Sequence, residues 1–208
     1  MRPFLPLLAL LVACGRVDRK ALLDPGRAVA RAPQTFRVKF ETTKGVFLVD
    51  VYRDWAPHGV DRFYNLVRIG FYDGCAFFRV TPQLAQSGLS SDKDVNRAWL
   101  EAFLPSDPPK QSNQRGFVSL TQASRSPDKR TTQVLISRAD NGALDRESPP
   151  IGQVVGGGMS VIDALYSGYG DGAPTGPVQG RIITEGGKYL EGGFPELDHI
   201  KRASIVGP

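Results

Sequence analysis

Phe36, Val38 and Phe40 alternate with Arg37, Lys39 and Glu41, the period-two pattern of a half-buried strand. Phe47, Val49 and Val51 alternate the same way, and Thr42-Thr43-Lys44-Gly45 between the two runs reads as a turn, so they predict a hairpin. Val60, Phe63, Tyr64 and Val67 then recur at helical spacing, with Asp54 placed to cap, Pro57 at an early helical position and Gly70 beyond the end. Short strands follow near 76–81, 116–121, 133–138 and 153–155. A second helix is predicted near 159–166 and a last strand at 202–206. Many short strands with two helices predict a mainly β domain over residues 35–208, a closed β-barrel capped by helices. No internal repeat is visible. The 170–200 segment predicts a late helical turn packed against the barrel.

The pattern changes at the N-terminus. Arg2 precedes an apolar run from Phe4 to Ala13, too short to span a bilayer but suited to a signal peptide. The run ends Leu11-Val12-Ala13-Cys14-Gly15, which resembles the bacterial lipobox. That resemblance implies a signal peptide over residues 1–14, lipidation at Cys14, and a periplasm-facing domain anchored in the cell envelope; Gly15 rather than Asp after the Cys gives no inner-membrane retention signal, and the choice between inner and outer membrane stays open. Residues 15–34 lack sustained periodicity and hold Pro25, Gly26 and Pro33, so they read as a basic flexible tether.

Of 208 residues, 41% are hydrophobic and 23% charged, which excludes a disordered chain. The net charge of +5 raises the question of nucleic acid. Residues 15–34 hold five cations (Arg16, Arg19, Lys20, Arg27, Arg31) against Asp18 and Asp24; with Arg2 the first 34 residues carry +4 of the +5. The domain is therefore nearly neutral, which argues against a nucleic-acid face and for attraction of the N-terminal segment to anionic lipid. With Cys14 lipidated, Cys75 has no disulfide partner and reads as a buried, inert thiol. Two separated histidines, His58 and His199, give no metal site, and both read as surface residues. Gly156-Gly157-Gly158 and Gly168-Tyr169-Gly170-Asp171-Gly172 read as turns, because neither has the Lys-Ser/Thr ending of a phosphate loop.

From about residue 36 to 206 a series of motifs keeps one order. Thr43-Lys44-Gly45 comes first, then Ala56-Pro57 with Phe63-Tyr64-Asn65-Leu66, then Gly70-Phe71-Tyr72-Asp73-Gly74 leading into Phe77-Phe78-Arg79-Val80. Asn113 to Leu120, Arg130-Thr131-Thr132-Gln133-Val134-Leu135-Ile136, Leu144-Asp145 and Ile151-Gly152-Gln153-Val154 follow. Together they resemble the cyclophilin-type peptidyl-prolyl cis–trans isomerases. The resemblance implies a closed eight-stranded antiparallel barrel with a helix over each end. It also implies a monomer that needs no cofactor and acts on proline-containing segments of exported proteins.

By the same resemblance Arg79 is the catalytic cation and Phe78 stands beside it on the catalytic strand. Gln86 matches the glutamine that buttresses the arginine only with a one-residue gap; read without a gap, Ser87 takes the place. Gln133 matches a second glutamine, and Thr121 and Gln122 line the groove. The proline pocket departs from the family: Leu84 and Leu135 stand where phenylalanine is usual, Ala143 where tryptophan or phenylalanine is usual, and Ser148 replaces a histidine, whereas Leu144 is retained. A leucine lacks the flat ring that packs on proline. The departures imply weaker proline and cyclosporin-type binding. They leave open a catalytically silent module that holds an extended peptide in the same groove.

Overall fold

The structure, a computed structural model, describes residues 17–122 and 129–207. The expected signal peptide and Cys14 lie outside the described residues. In chain order the elements are α1 (Arg19–Leu22), β1 (Thr35–Thr42), β2 (Gly45–Tyr52), α2 (Pro57–Arg68), β3 (Arg79–Val80), β4 (Leu84–Ser87) and α3 (Lys93–Trp99). They continue as β5 (Phe117–Gln122), β6 (Arg130–Ser137), β7 (Pro150–Val155), α4 (Met159–Asp163), α5 (Gln179–Glu185), α6 (Gly187–Gly193) and β8 (Ile200–Val206). No helix among the described residues is long and apolar enough to cross a membrane.

The predicted hairpin is β1 and β2. Its register sets Val38 against Val49 and Phe40 against Phe47, so one face of both strands enters the core. The turn is closed by the Thr42 hydroxyl, which donates to the Gly45 carbonyl at 2.8 Å. Helix α2 lays Val60, Phe63, Leu66 and Val67 on the same core. Its cap differs from the sequence reading: Ala56 precedes the helix, not Asp54, and the free amides of His58 and Gly59 donate to the carboxylate of distant Asp107, each at 2.9 Å. Local spacing cannot show a cap supplied from 48 residues away.

The eight strands form one antiparallel sheet in the order β3-β4-β6-β5-β7-β2-β1-β8. The sheet is open and curled, not the closed barrel expected. Its edge strands, β3 and β8, do not pair; the residues just before them meet at a bridge between Ala76 and His199, where the Phe77 amide donates to the Asp198 carbonyl and the Ile200 amide to the Cys75 carbonyl, and the Gly74 amide adds a bond to the Ile200 carbonyl. Strand β3 has two residues, whereas the sequence predicts a strand over 76–81. Phe77 and Val80 point into the main core, whereas Phe78 leaves it for a second apolar cluster with Ala76, Leu89, Ile182, Leu190 and Leu197. That cluster sits under a layer made by α3, α5 and α6, richer than the single late turn expected.

Residues 17–34 are not a loose tether. Ala21, Leu22, Ala28 and Ala32 are buried in the main core. Asp18 caps α1 by accepting from the Lys20 and Ala21 amides, and its own amide donates to the Ile69 carbonyl at 3.1 Å. The Trp99 indole N–H donates to the Leu22 carbonyl at 2.9 Å. Asn65 both accepts from and donates to the Ala30 backbone, and Asp61 accepts from the Ala32 amide. The segment is held by backbone groups and four small or apolar side chains, which leave no periodic signature in sequence.

Candidate active site

Cross-strand partners share a face of a sheet. The register pairs Arg79 with Gln86, Gln86 with Leu135, and Leu135 with Ser119, so these four form a row across β3, β4, β6 and β5. Their chain neighbours Val80, Ala85, Ile136 and Val118 point the other way, into the core. The row thus lies on the outer face of the sheet, away from that core. Gly88, just past β4, lies so close to β6 that a Cβ there would sit 2.6 Å from the Thr132 carbonyl oxygen, which keeps β4 tight against β6.

Arg79 Nε donates to the Asp171 carboxylate, and its Nη1 donates to Gln86 Oε1 at 3.2 Å. Gln86 Nε2 in turn donates to Gln133 Oε1 at 2.6 Å. Both glutamines are buried, while the Arg79 side chain keeps 32% of its surface exposed. The guanidinium is therefore anchored at its base and open on one side. The two alignments of the glutamine separate here. Gln86 stands beside Arg79; Ser87 lies on the opposite face, its hydroxyl donating to the Ala76 carbonyl at 2.9 Å.

Leu135 of the row and Leu84, two residues before Gln86 on the same face, are buried at 2% and 6% exposure and form an apolar floor. Leu144 is half-buried in a short 3-10 turn, Gly142–Leu144, with Ala143 exposed at the rim. Ser148, which stands where the family has histidine, is buried behind the groove. It is 1% exposed, and its hydroxyl donates to the Thr121 hydroxyl at 3.1 Å. Phe78 is also displaced from the expected groove, since it packs in the second cluster. Gln122 ends β5 in backbone, and its side chain lies outside the described residues.

Sequence reasoning gave no site role to two residues that shape this region. Asn113, fully buried, donates from its side chain to Asp145 Oδ1 at 2.9 Å and to the Ser148 carbonyl at 3.0 Å, and accepts from the Ser119 hydroxyl at 2.6 Å. It clasps the 141–148 turn to β5. Burial works to raise the Asp145 carboxyl, but hydrogen bonds from Asn113 and Ser112 outweigh it and hold the group below the usual carboxylate range. Asp171, the second, appeared only as part of a glycine-rich turn.

A cavity of about 210 Å³ opens between α3 and β6, walled by Trp99, Leu100, Phe103, Thr131 and Gln133 among others. Gln133 thus joins this cavity to the arginine network. Elsewhere, His58 is exposed as expected and His199 is half-buried. No cluster of three or more His, Cys, Asp or Glu that could hold a metal occurs among the described residues. Cys75 is a buried free thiol; burial pushes it well above its ordinary value, and the nearby Asp73 charge adds to the rise.

This geometry sits in a known fold. A family model described as "Cyclophilin type peptidyl-prolyl cis-trans isomerase/CLD" matches residues 37–185. The peptidyl-prolyl cis–trans isomerase of Acinetobacter baylyi is 28% identical over 141 residues, covering 65% of this chain and 74% of that protein. A probable peptidyl-prolyl cis–trans isomerase of Brucella abortus is 30% identical over 168 residues, 76% of this chain and 80% of that protein. Among solved structures, a cyclophilin-type isomerase of Cryptosporidium parvum superposes with a TM-score of 0.62 at 16% identity, over 84% of this chain and 99% of that one. A second structure of it was determined in the presence of the dipeptide Ala-Pro. The chain belongs to the cyclophilin-type peptidyl-prolyl cis–trans isomerases, enzymes of the isomerase class.

Proposed function

We propose that the chain turns X–Pro bonds of exported proteins at the bacterial cell envelope, with Arg79 as the catalytic cation. The barrier to rotation is about 18–20 kcal/mol, because resonance gives the amide C–N bond partial double-bond character. Uncatalysed exchange takes tens to hundreds of seconds, slow enough to limit folding. In the half-rotated state that resonance is lost and the prolyl nitrogen carries a lone pair. A fixed donor aimed at it stabilises the twisted state more than the planar one, which lowers the barrier. The observation that carries the proposal is the Arg79–Gln86–Gln133 chain of hydrogen bonds, which fixes a permanently charged fork at the edge of an apolar floor. In this reading the proline ring rests on Leu84, Leu135 and Leu144. The Ala-Pro dipeptide used with the Cryptosporidium parvum protein supports proline-containing peptides as the ligand class.

The envelope location rests on the lipobox-like Leu11-Val12-Ala13-Cys14. Because the chain is packed on the domain from Asp18 onward, three residues separate it from Cys14, and the four steps between them reach at most about 14 Å. A lipid on Cys14 would hold the domain against the membrane rather than on a long leash. Loss of radiolabelled palmitate incorporation in Cys14→Ser tests the anchor; persistent labelling removes it. A proline-limited refolding assay with residues 15–208 tests the activity. Wild type is expected to accelerate refolding and Arg79→Ala not to; equal, negligible rates would leave a peptide-binding module.

A further inference from the structure

Asp171 reaches Arg79 from 92 residues away in sequence, and the loop that carries it is braced. The Tyr169 ring meets Tyr166 and Phe194 edge-on, both at 5.0 Å between centroids. Its hydroxyl accepts from the Glu196 amide at 3.4 Å. The loop also closes on itself, the Gly176 amide donating to the Gly172 carbonyl at 2.6 Å. Gly170 and Gly172, at φ +65° and +114°, take the left-handed turns that present Asp171 between them. Tyr169 packs on the same second cluster that holds Phe78, the residue before Arg79. The Phe77 amide donates to the Asp198 carbonyl at 2.8 Å, so the C-terminal layer holds the backbone two residues before the arginine as well as its side chain.

We infer that Asp171 is a positioning residue for Arg79. It holds Nε from one side while Gln86 holds Nη1 from the other. Among the described residues Nη2 donates no hydrogen bond, which leaves that end of the fork for the substrate. The inference rests on the isomerase reading. Two held nitrogens fix the plane of a guanidinium; one leaves it free to swing about the remaining bond. Misplacement of a catalytic group lowers the rate of the chemical step more than it weakens substrate binding.

The test measures kcat and KM on a proline peptide for wild type, Asp171→Ala, Asp171→Asn, Arg79→Ala and the double variant Arg79→Ala with Asp171→Ala. The expected result is about a fivefold fall in kcat for Asp171→Ala, the scale of a well-formed exposed ion pair, with KM barely moved. Asp171→Asn keeps an oxygen that accepts from Nε and should recover part of the loss. Asp171→Ala should cost nothing further once Arg79 is alanine. An unchanged or raised kcat in Asp171→Ala, or an equal loss in the Arg79→Ala background, overturns the inference and leaves the isomerase reading standing. Failure of that reading has its own sign, wild type no faster than Arg79→Ala. The Arg79 Nε–H resonance of ¹⁵N-labelled protein checks the pairing without any turnover. Slow solvent exchange in wild type and fast exchange in Asp171→Ala support it; fast exchange in both overturns it.

Discussion

Replacing Asp107 by alanine should come close to unfolding the protein. Its carboxylate and the Arg130 guanidinium are each 0% exposed and 3.2 Å apart. Arg130 Nη2 also donates to the Pro105 carbonyl at 2.9 Å, but Nε and Nη1 are buried without a partner among the described residues. Among the described residues Asp107 is therefore the one anion paired with this fully buried cation, and it also receives the first amides of α2. Breaking one partner of a buried pair costs about 3–5 kcal/mol, because the other charge stays behind. Each orphaned amide adds about 1 kcal/mol. The sum, about 5–7 kcal/mol, compares with about 5–15 kcal/mol for a whole domain. Urea unfolding followed by tryptophan fluorescence should show a midpoint about 2 M or more lower, at a slope of roughly 2 kcal/mol per molar. Asp107→Leu combined with Arg130→Met should be less damaging than Asp107→Ala alone, since no buried charge is stranded. A loss below about 1 kcal/mol for Asp107→Ala would refute the reasoning.

Trp99→Phe keeps the apolar packing but removes the hydrogen bond to Leu22, so residues 17–34 should become more sensitive to limited proteolysis and stability should fall by about 1 kcal/mol; an unchanged digestion pattern counts against docking of this segment. Asp61 joins the same segment to the body through Arg53, with two contacts of 2.8 Å. Burial works to raise its carboxyl, and the Arg53 guanidinium with the Ala32 amide outweighs that, leaving it below the usual range. A lowered folded-state value gives stability that is present above the unfolded value, about 3.9, and lost as pH falls through the folded one. Protection factors of the amides in residues 17–34, exchange measured against the unfolded-chain rate at the same pH, should therefore fall in acid below about pH 4, and Asp61→Asn should flatten that dependence; protection unchanged by acid would contradict it.

Much of the sheet was legible because its residues interact with near neighbours. The β1–β2 hairpin, α2 and the strands at 116–121 and 133–138 follow from period and turn chemistry alone. Arg79 and Gln133 were legible through motif order, and the register then separates Gln86 from Ser87. What could not be read depends on distant pairs. Asp171 meets Arg79 across 92 positions, and Asp107 caps α2 across 48. Phe78 reads as a groove residue because it precedes Arg79, and it packs in the second cluster with Leu89, Ile182, Leu190 and Leu197 from distant parts of the chain. Ser148 reads in sequence only as the loss of a histidine ring; that its hydroxyl donates to Thr121 depends on a residue 27 positions away. Helix α3 lies in a stretch that reads as a long loop, and its function as a wall for the N-terminal segment shows only when Trp99 meets Leu22.

The most direct test of Arg79 as a catalytic cation is exchange NMR on a short Ala-Pro peptide with catalytic amounts of residues 15–208. Cis and trans resonances should show exchange cross-peaks at mixing times far shorter than the free peptide needs, and Arg79→Ala should return the spectrum to that of the peptide alone. Cross-peaks equally strong with Arg79→Ala would mean that another group turns the bond.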